Sequence, residues 1–189
     1  MAQPAFLSMK ALITTLSATL ALTATSLLLA QERQRVSPHE TVTANVAGNN
    51  IKVVYGRPYT KDPKSGEKRT VWGGLVPYGK VWRMGADEAT LFTTEKDIKM
   101  GDTTIPAGTY SLYMLPQEDG ARLIINKQTG QWGTKYDEAQ DLARVPLKKE
   151  ALREPVDQLT IAITDTDAGG VLKIMWEDAQ YSVGFKAWK

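Results

Sequence analysis

Three short segments near the C-terminal end carry apolar residues at every second position. They are residues 159–163 (LTIAI), 172–176 (LKIMW) and 181–185 (YSVGF). Successive side chains of a β-strand point to opposite faces, so this period of two predicts strands that each bury one face. The first two segments predict a shared core face formed by residues 159, 161, 163, 172, 174 and 176.

The same pattern, interrupted by Gly, Asn and Asp, recurs along most of the chain. Further strands are predicted at residues 41–47, 51–55, 89–94, 108–115 and 122–127. Short, regularly spaced strands without long helices predict an all-β fold, an antiparallel β-sandwich of either jelly-roll or Ig-like arrangement. Residues 136–144 (YDEAQDLAR), stopped by Pro146, allow at most one short helix, or else a loop that leads into a strand.

The N-terminal region has the pattern of a secretory signal. Lys10 is followed by an uncharged run over residues 11–30 and then by the polar QERQR. We therefore expect a signal peptide at 1–30, a polar lead-in at 31–40 and a single domain at 41–187, exported to the periplasm or secreted. An uncleaved anchor is the alternative, and it would be the only route to a membrane.

Composition excludes several classes of function. The chain has no Cys, so it has no disulfide, thiolate metal ligand or Cys nucleophile. Its single His, His39, falls in the lead-in, which excludes a multi-His metal centre, and we expect neither a metal nor a cofactor. The formal net charge is only +2 and the basic residues are scattered, which argues against nucleic-acid binding.

Residues 71–90 (VWGGLVPYGKVWRMGADEAT) combine four Gly with two Trp and several charges. This composition predicts a structured loop and strand that position large side chains. If the segment is extended, Trp82 and Met84 face the core and Arg83 faces the other surface. There the guanidinium suits a carboxylate, either from a ligand or, in the more ordinary case, from an internal Asp or Glu.

Asp87 and Glu88 are adjacent in the sequence. On a strand they point to opposite faces, whereas in a turn they could converge on a cation. We expect them to lie near Arg83 as the polar part of a site, with Trp132 or Tyr136 as its apolar wall. No residue is assigned a catalytic role. The binding candidates are Arg83, Asp87, Glu88, Tyr78, Trp132, Tyr136 and Arg57.

Five motifs occur in a familiar order: YGRP from Tyr55, GGLVPYGKVWRMGADEAT from Gly73, IPAGTYSLYMLP from Ile105, INKQTGQWG from Ile125 and WED from Trp176. Together they resemble the exported bacterial family catalogued as domain of unknown function 2911, over nearly all of the chain after the signal. The expected GANEAT of that family is GADEAT here. The resemblance implies an exported β-rich domain and carries no activity with it.

The favoured function is non-catalytic binding of a small molecule, glycan or peptide in the cell envelope. One alternative is a glycosidase-like hydrolase that uses carboxylates without His. The other is a structural or assembly subunit of an envelope complex.

Overall fold

The computed structural model describes residues 35–187. The predicted signal peptide and residues 31–34 of the predicted lead-in lie outside the described residues. The strands are β1 (His39–Val46), β2 (Asn49–Gly56), β3 (Ala86–Thr94), β4 (Ile98–Met100), β5 (Thr103–Ile105), β6 (Gly108–Pro116), β7 (Ala121–Asn126), β8 (Asp141–Thr166) and β9 (Gly169–Ala187). Within 35–187, no helix has both the length and the apolar composition needed to cross a bilayer.

All nine strands belong to one antiparallel sheet. Their order is β1-β2-β3-β6-β7-β8-β9-β4-β5, so β1 and β5 form its two edges and the sheet is not a closed barrel. β8 pairs with β7 over its first residues and with β9 over the remainder. The predicted all-β antiparallel fold is confirmed.

The sheet folds over so that its two halves enclose one core. Val53 of β2 and Phe92 of β3 share a buried cluster with Ile161 of β8 and Ile174 of β9. The bend lies where the β8–β9 register shifts, between residues 151 and 160 of β8. The segment after β2 also bonds to this bend, since Thr60 N donates to Asp157 O at 2.7 Å.

The period of two locates the core face correctly. Residues 159, 161, 172, 174 and 176 are at most 2% exposed, and Ile163 is partly buried. Two boundaries differ from expectation: residues 172–176 and 181–185 belong to one strand, β9, and the β4–β5 hairpin was not predicted. Three-residue strands are too short to display a period.

The helix-compatible segment at 136–144 contains only one turn of 3-10 helix, Glu138–Gln140. The Asp137 side chain caps this turn by accepting a hydrogen bond from Ala139 N. β8 then begins at Asp141, so the alternative of a loop that leads into a strand describes most of this segment.

Candidate functional site

The turn-rich segment before β3 packs two tryptophans onto the end of the core. Trp82 stacks on Trp176, with ring centroids 5.8 Å apart and an interplanar angle of 21°. Trp72 meets both rings edge-on, and its Nε1 donates to Trp176 O at 3.0 Å. Met84 is fully buried. The expectation that Trp82 and Met84 face the core is confirmed, and this packing fixes the position of Arg83 between them.

Arg83 lies across Gly133. A Cβ on Gly133 would come within 2.1 Å of Arg83 Cδ, so the guanidinium stem occupies space that only glycine leaves open. Arg83 Nε is buried and has no hydrogen-bond partner in the described part of the chain. The expected internal carboxylate partner is absent, because Arg83 forms no ion pair within the part of the chain that the structure describes.

Arg83 borders a cavity of about 240 Å³, which we call the Arg83 cleft. Its lining residues include three basic residues, Lys61, Arg69 and Arg83, and one acidic residue, Asp87. Trp176 lines the cleft from the core side, is 0% exposed, and its Nε1 has no hydrogen-bond partner among the described residues. The remaining lining residues are Val36, Ser37, Pro58, Tyr59, Pro63, Leu75, Gly85 and Ala86.

Exposed apolar side chains are concentrated around this cleft. Of the large hydrophobic residues that the structure describes, four are exposed: Val36 (65%), Tyr59 (40%), Leu75 (42%) and Trp132 (50%). The first three line the Arg83 cleft. Exposed apolar surface that borders a polar cavity is typical of a ligand site.

A second group of polar side chains adjoins the cleft. His39 Nε2 lies 3.4 Å from Asp87 Oδ2 and 3.4 Å from Glu88 Oε2. The adjacent carboxylates reach the same imidazole because Asp87 has a φ of 63°, which interrupts the alternation of an extended strand. Gly133 N donates to Asp87 O at 2.9 Å and so holds this backbone in place. His39 is therefore part of β1 rather than of a solvated tail.

The route from His39 to β3 crosses a glycine. Strand β2 lies between β1 and β3, and its Gly56 pairs with His39 on one side and with Ala86 on the other. A Cβ on Gly56 would lie 3.2 Å from His39 Nε2 and 2.5 Å from Ala86 O. The imidazole can therefore extend over β2 to the carboxylates on β3 because Gly56 has no side chain.

Comparison with known proteins identifies the family. The family model described as "Protein of unknown function (DUF2911)" matches residues 37–185. The chain belongs to the DUF2911 family. No curated protein matches the chain, and no solved structure matches it.

In this DUF2911 chain, Arg83 and Asp87 share one cavity, with Glu88 directly beside it. Trp132 does not line the cleft, but its backbone bridges to that of Glu88, and its side chain is exposed. Tyr78 contributes to a different groove, where its ring lies 5.8 Å from Lys149 Nζ.

Tyr136 and Arg57 belong to structural networks away from the cleft. Burial, followed by the hydrogen bond that its hydroxyl donates to Asp141, raises the pKa of Tyr136 to about 12. Arg57 pairs with Glu40 and donates from Nε to Leu159 O at 2.9 Å, which ties β1 and the end of β2 to β8.

Two contributors to the site were missed by sequence reasoning. His39 was assigned to the lead-in, although the strand alternation of β1 extends to it. The polar loop after β2 supplies Lys61, Pro63 and Arg69 to one wall of the cleft. Arg69 orders that loop by donating from Nη2 to Tyr59 O at 2.7 Å. Neither His39 nor this loop contains a sequence motif that would have indicated its position at the cleft.

Proposed function

We propose that this domain binds a small organic acid in the Arg83 cleft without catalysing a reaction. The observation that carries the proposal is the buried Arg83 Nε, which has no hydrogen-bond partner among residues 35–187. A buried donor without an acceptor costs about 1–3 kcal/mol, and an oxyanion that accepts from it recovers this cost. Charge-assisted bonds from guanidinium to carboxylate are among the stronger hydrogen bonds in proteins.

The other side chains that line the Arg83 cleft also favour a small organic acid. Lys61 and Arg69 add positive charge to the cleft, while Tyr59 and Leu75 offer apolar surface to the body of a ligand. The volume of about 240 Å³ is below the roughly 300–1,000 Å³ typical of drug-sized ligands. Size therefore favours a small molecule over a longer glycan or peptide.

The two alternatives receive less support. A glycosidase needs two carboxylates that flank one bond, and Asp87 is the sole carboxylate residue among those that line the cleft in the described part of the chain. An assembly subunit would be favoured by a flat apolar face, whereas Val36, Tyr59 and Leu75 border a cavity.

We also propose that the domain acts outside the cytoplasm. The support is Lys10 followed by the uncharged residues 11–30. N-terminal sequencing of the protein from the extracytoplasmic fraction tests this, and a full-length chain retained in the cytoplasm would disprove it.

Thermal-shift screening tests the binding function. The wild-type protein is screened against mono- and dicarboxylates with aliphatic or aromatic bodies, against neutral glycans and against short peptides. We expect carboxylates to raise the Tm and neutral glycans not to. Arg83→Lys should fold normally and bind at least about tenfold more weakly, since an ammonium cannot reproduce the geometry of the guanidinium.

Arg122→Lys is the matched control, because Arg122 is an exposed arginine of β7 that does not line the cleft. It should bind each ligand as the wild type does. If no carboxylate binds, or if Arg83→Lys binds as tightly as the wild type, the proposed function is wrong.

A further inference from the structure

We propose that His39, Asp87 and Glu88 bind a divalent transition-metal cation at the border of the Arg83 cleft. One nitrogen and two carboxylate oxygens, one ligand atom from each residue, all lie within 4.8 Å of one another. Imidazole and carboxylate together form a donor set that suits Zn²⁺ and its neighbours in the first transition row. The three side chains are 28%, 28% and 38% exposed, so a cation in solution can reach them.

The two measured separations match the edge of a coordination tetrahedron. A tetrahedral Zn²⁺ with ligand bonds of about 2.0–2.2 Å holds its ligand atoms about 3.4 Å apart. His39 Nε2 lies at 3.4 Å from Asp87 Oδ2 and at 3.4 Å from Glu88 Oε2. These two separations therefore leave room for a cation next to the imidazole nitrogen, and the two carboxylate oxygens lie within 4.8 Å of each other.

Both separations are longer than a direct hydrogen bond. Hydrogen bonds from N–H to oxygen span about 2.7–3.2 Å, and the single Nε2 proton of an imidazole is directed at one acceptor. Here one nitrogen lies at the same longer distance from two oxygens. A cation bound between the three side chains would be in reach of both oxygens and of the nitrogen.

The neighbouring cavity supplies an independent indication of a ligand. Trp176 is 0% exposed and lines the Arg83 cleft, and its Nε1 has no acceptor within the residues that the structure describes. Arg83 Nε, at the same cleft, likewise has no acceptor there. Asp87 belongs to both the cleft and the proposed metal site. Three protein ligands leave a coordination position open, and an oxygen of the cleft ligand can take it. This last coupling rests on the proposed function.

The single His in the chain makes the metal site directly observable. The protein is purified without a polyhistidine tag and treated with EDTA, and Zn²⁺ is then added while the imidazole C–H signals of His39 are followed by ¹H NMR. We expect these signals to shift and to saturate at one equivalent of Zn²⁺. Calorimetric titration should give at least about tenfold weaker binding for His39→Gln, Asp87→Asn and Glu88→Gln.

The matched control is Glu138→Gln, which removes an exposed carboxylate from the separate Arg144 network. It should bind Zn²⁺ as the wild type does. Unchanged imidazole signals at several equivalents of Zn²⁺, or wild-type affinity in His39→Gln, would overturn the proposal. The wild-type NMR result decides the matter even if a carboxylate variant fails to fold.

Repeating the carboxylate screen with Zn²⁺ and with EDTA separates the two proposals. If zinc binds and no carboxylate does, the metal-site proposal stands and the proposed function is refuted. Carboxylate binding that is equally tight in EDTA would refute the coupling between the two sites.

Discussion

The left-handed conformation of Asp87 predicts an unusual stability order among two substitutions. Asp87→Gly and Asp87→Ala both remove the carboxylate, so they differ only by the Cβ. Asp87 has a φ of 63°, a region that residues with a Cβ adopt at a cost of about 1–2 kcal/mol. Glycine avoids this cost but gains freedom in the unfolded chain, which offsets about 0.4–1 kcal/mol. We therefore expect Asp87→Gly to be the more stable by about 0.5–1 kcal/mol.

Glu88 provides the control, because it is the next residue and its φ is negative. At an ordinary strand position, a glycine variant has a free energy of unfolding about 0.5–1 kcal/mol lower than the alanine variant. The order of the pair should thus reverse between Glu88 and Asp87. Both variants at a given position lack the carboxylate, so its loss cancels when the Gly variant is compared with the Ala variant at that position.

Urea titrations and thermal melts in EDTA measure the four free energies of unfolding. For a domain of this size, 1 kcal/mol corresponds to about 2–4 °C in Tm. If Asp87→Ala equals or exceeds Asp87→Gly in stability, then the backbone at residue 87 is not left-handed. The convergence of the two carboxylates on His39 would then lose its explanation.

Three further predictions follow from packing and titration. Ile51 is 1% exposed, so Ile51→Ala should lower the free energy of unfolding, measured by urea titration, by about 2–5 kcal/mol. The adjacent Lys52 is exposed, and Lys52→Ala should change the same free energy by less than about 0.5 kcal/mol. Gly133→Ala should displace the Arg83 side chain and weaken carboxylate binding in thermal-shift assays, while far-UV circular dichroism remains that of a β protein. The pKa of Tyr136 is about 12 in the folded domain and about 10 in the unfolded chain, so the protonated hydroxyl stabilises the fold below pH 10 and this stability is lost as the pH rises towards 12. Tyr136→Phe should therefore reduce the loss of stability at alkaline pH in pH-dependent melts.

The fold could be predicted from the sequence wherever an element is long enough to show a period. β9 gave two alternating runs, and its core residues, such as Ile174 and Trp176, were identified correctly. The continuity between the runs could not be predicted, because Glu177 adopts a φ of 52° where the register shifts and the alternation is lost there.

The candidate site was predicted only in part, for a related reason. Arg83 and Asp87 stand in one contiguous segment of unusual composition, which singled them out. His39 reaches them through strand pairing across Gly56, and the pairing of β1 with β2 leaves no local pattern in the sequence. The same segment predicted an internal partner for Arg83, because most buried arginines have one, and the cavity at that point was not visible from residue types.

β8 has 26 residues and is hydrogen-bonded to β7 at its start and to β9 along the rest. This one strand is therefore part of both halves of the sheet. Loosening one half would remove hydrogen-bond partners from a strand that the other half also needs. The cleft sits beside the bend of this shared strand pair, where Trp176 lies between Met175 and Glu177, the β9 residues on either side of a register shift. Loosening of the β8–β9 pair would therefore disturb the Trp176 wall of the cleft together with the strand pairing in both halves of the sheet.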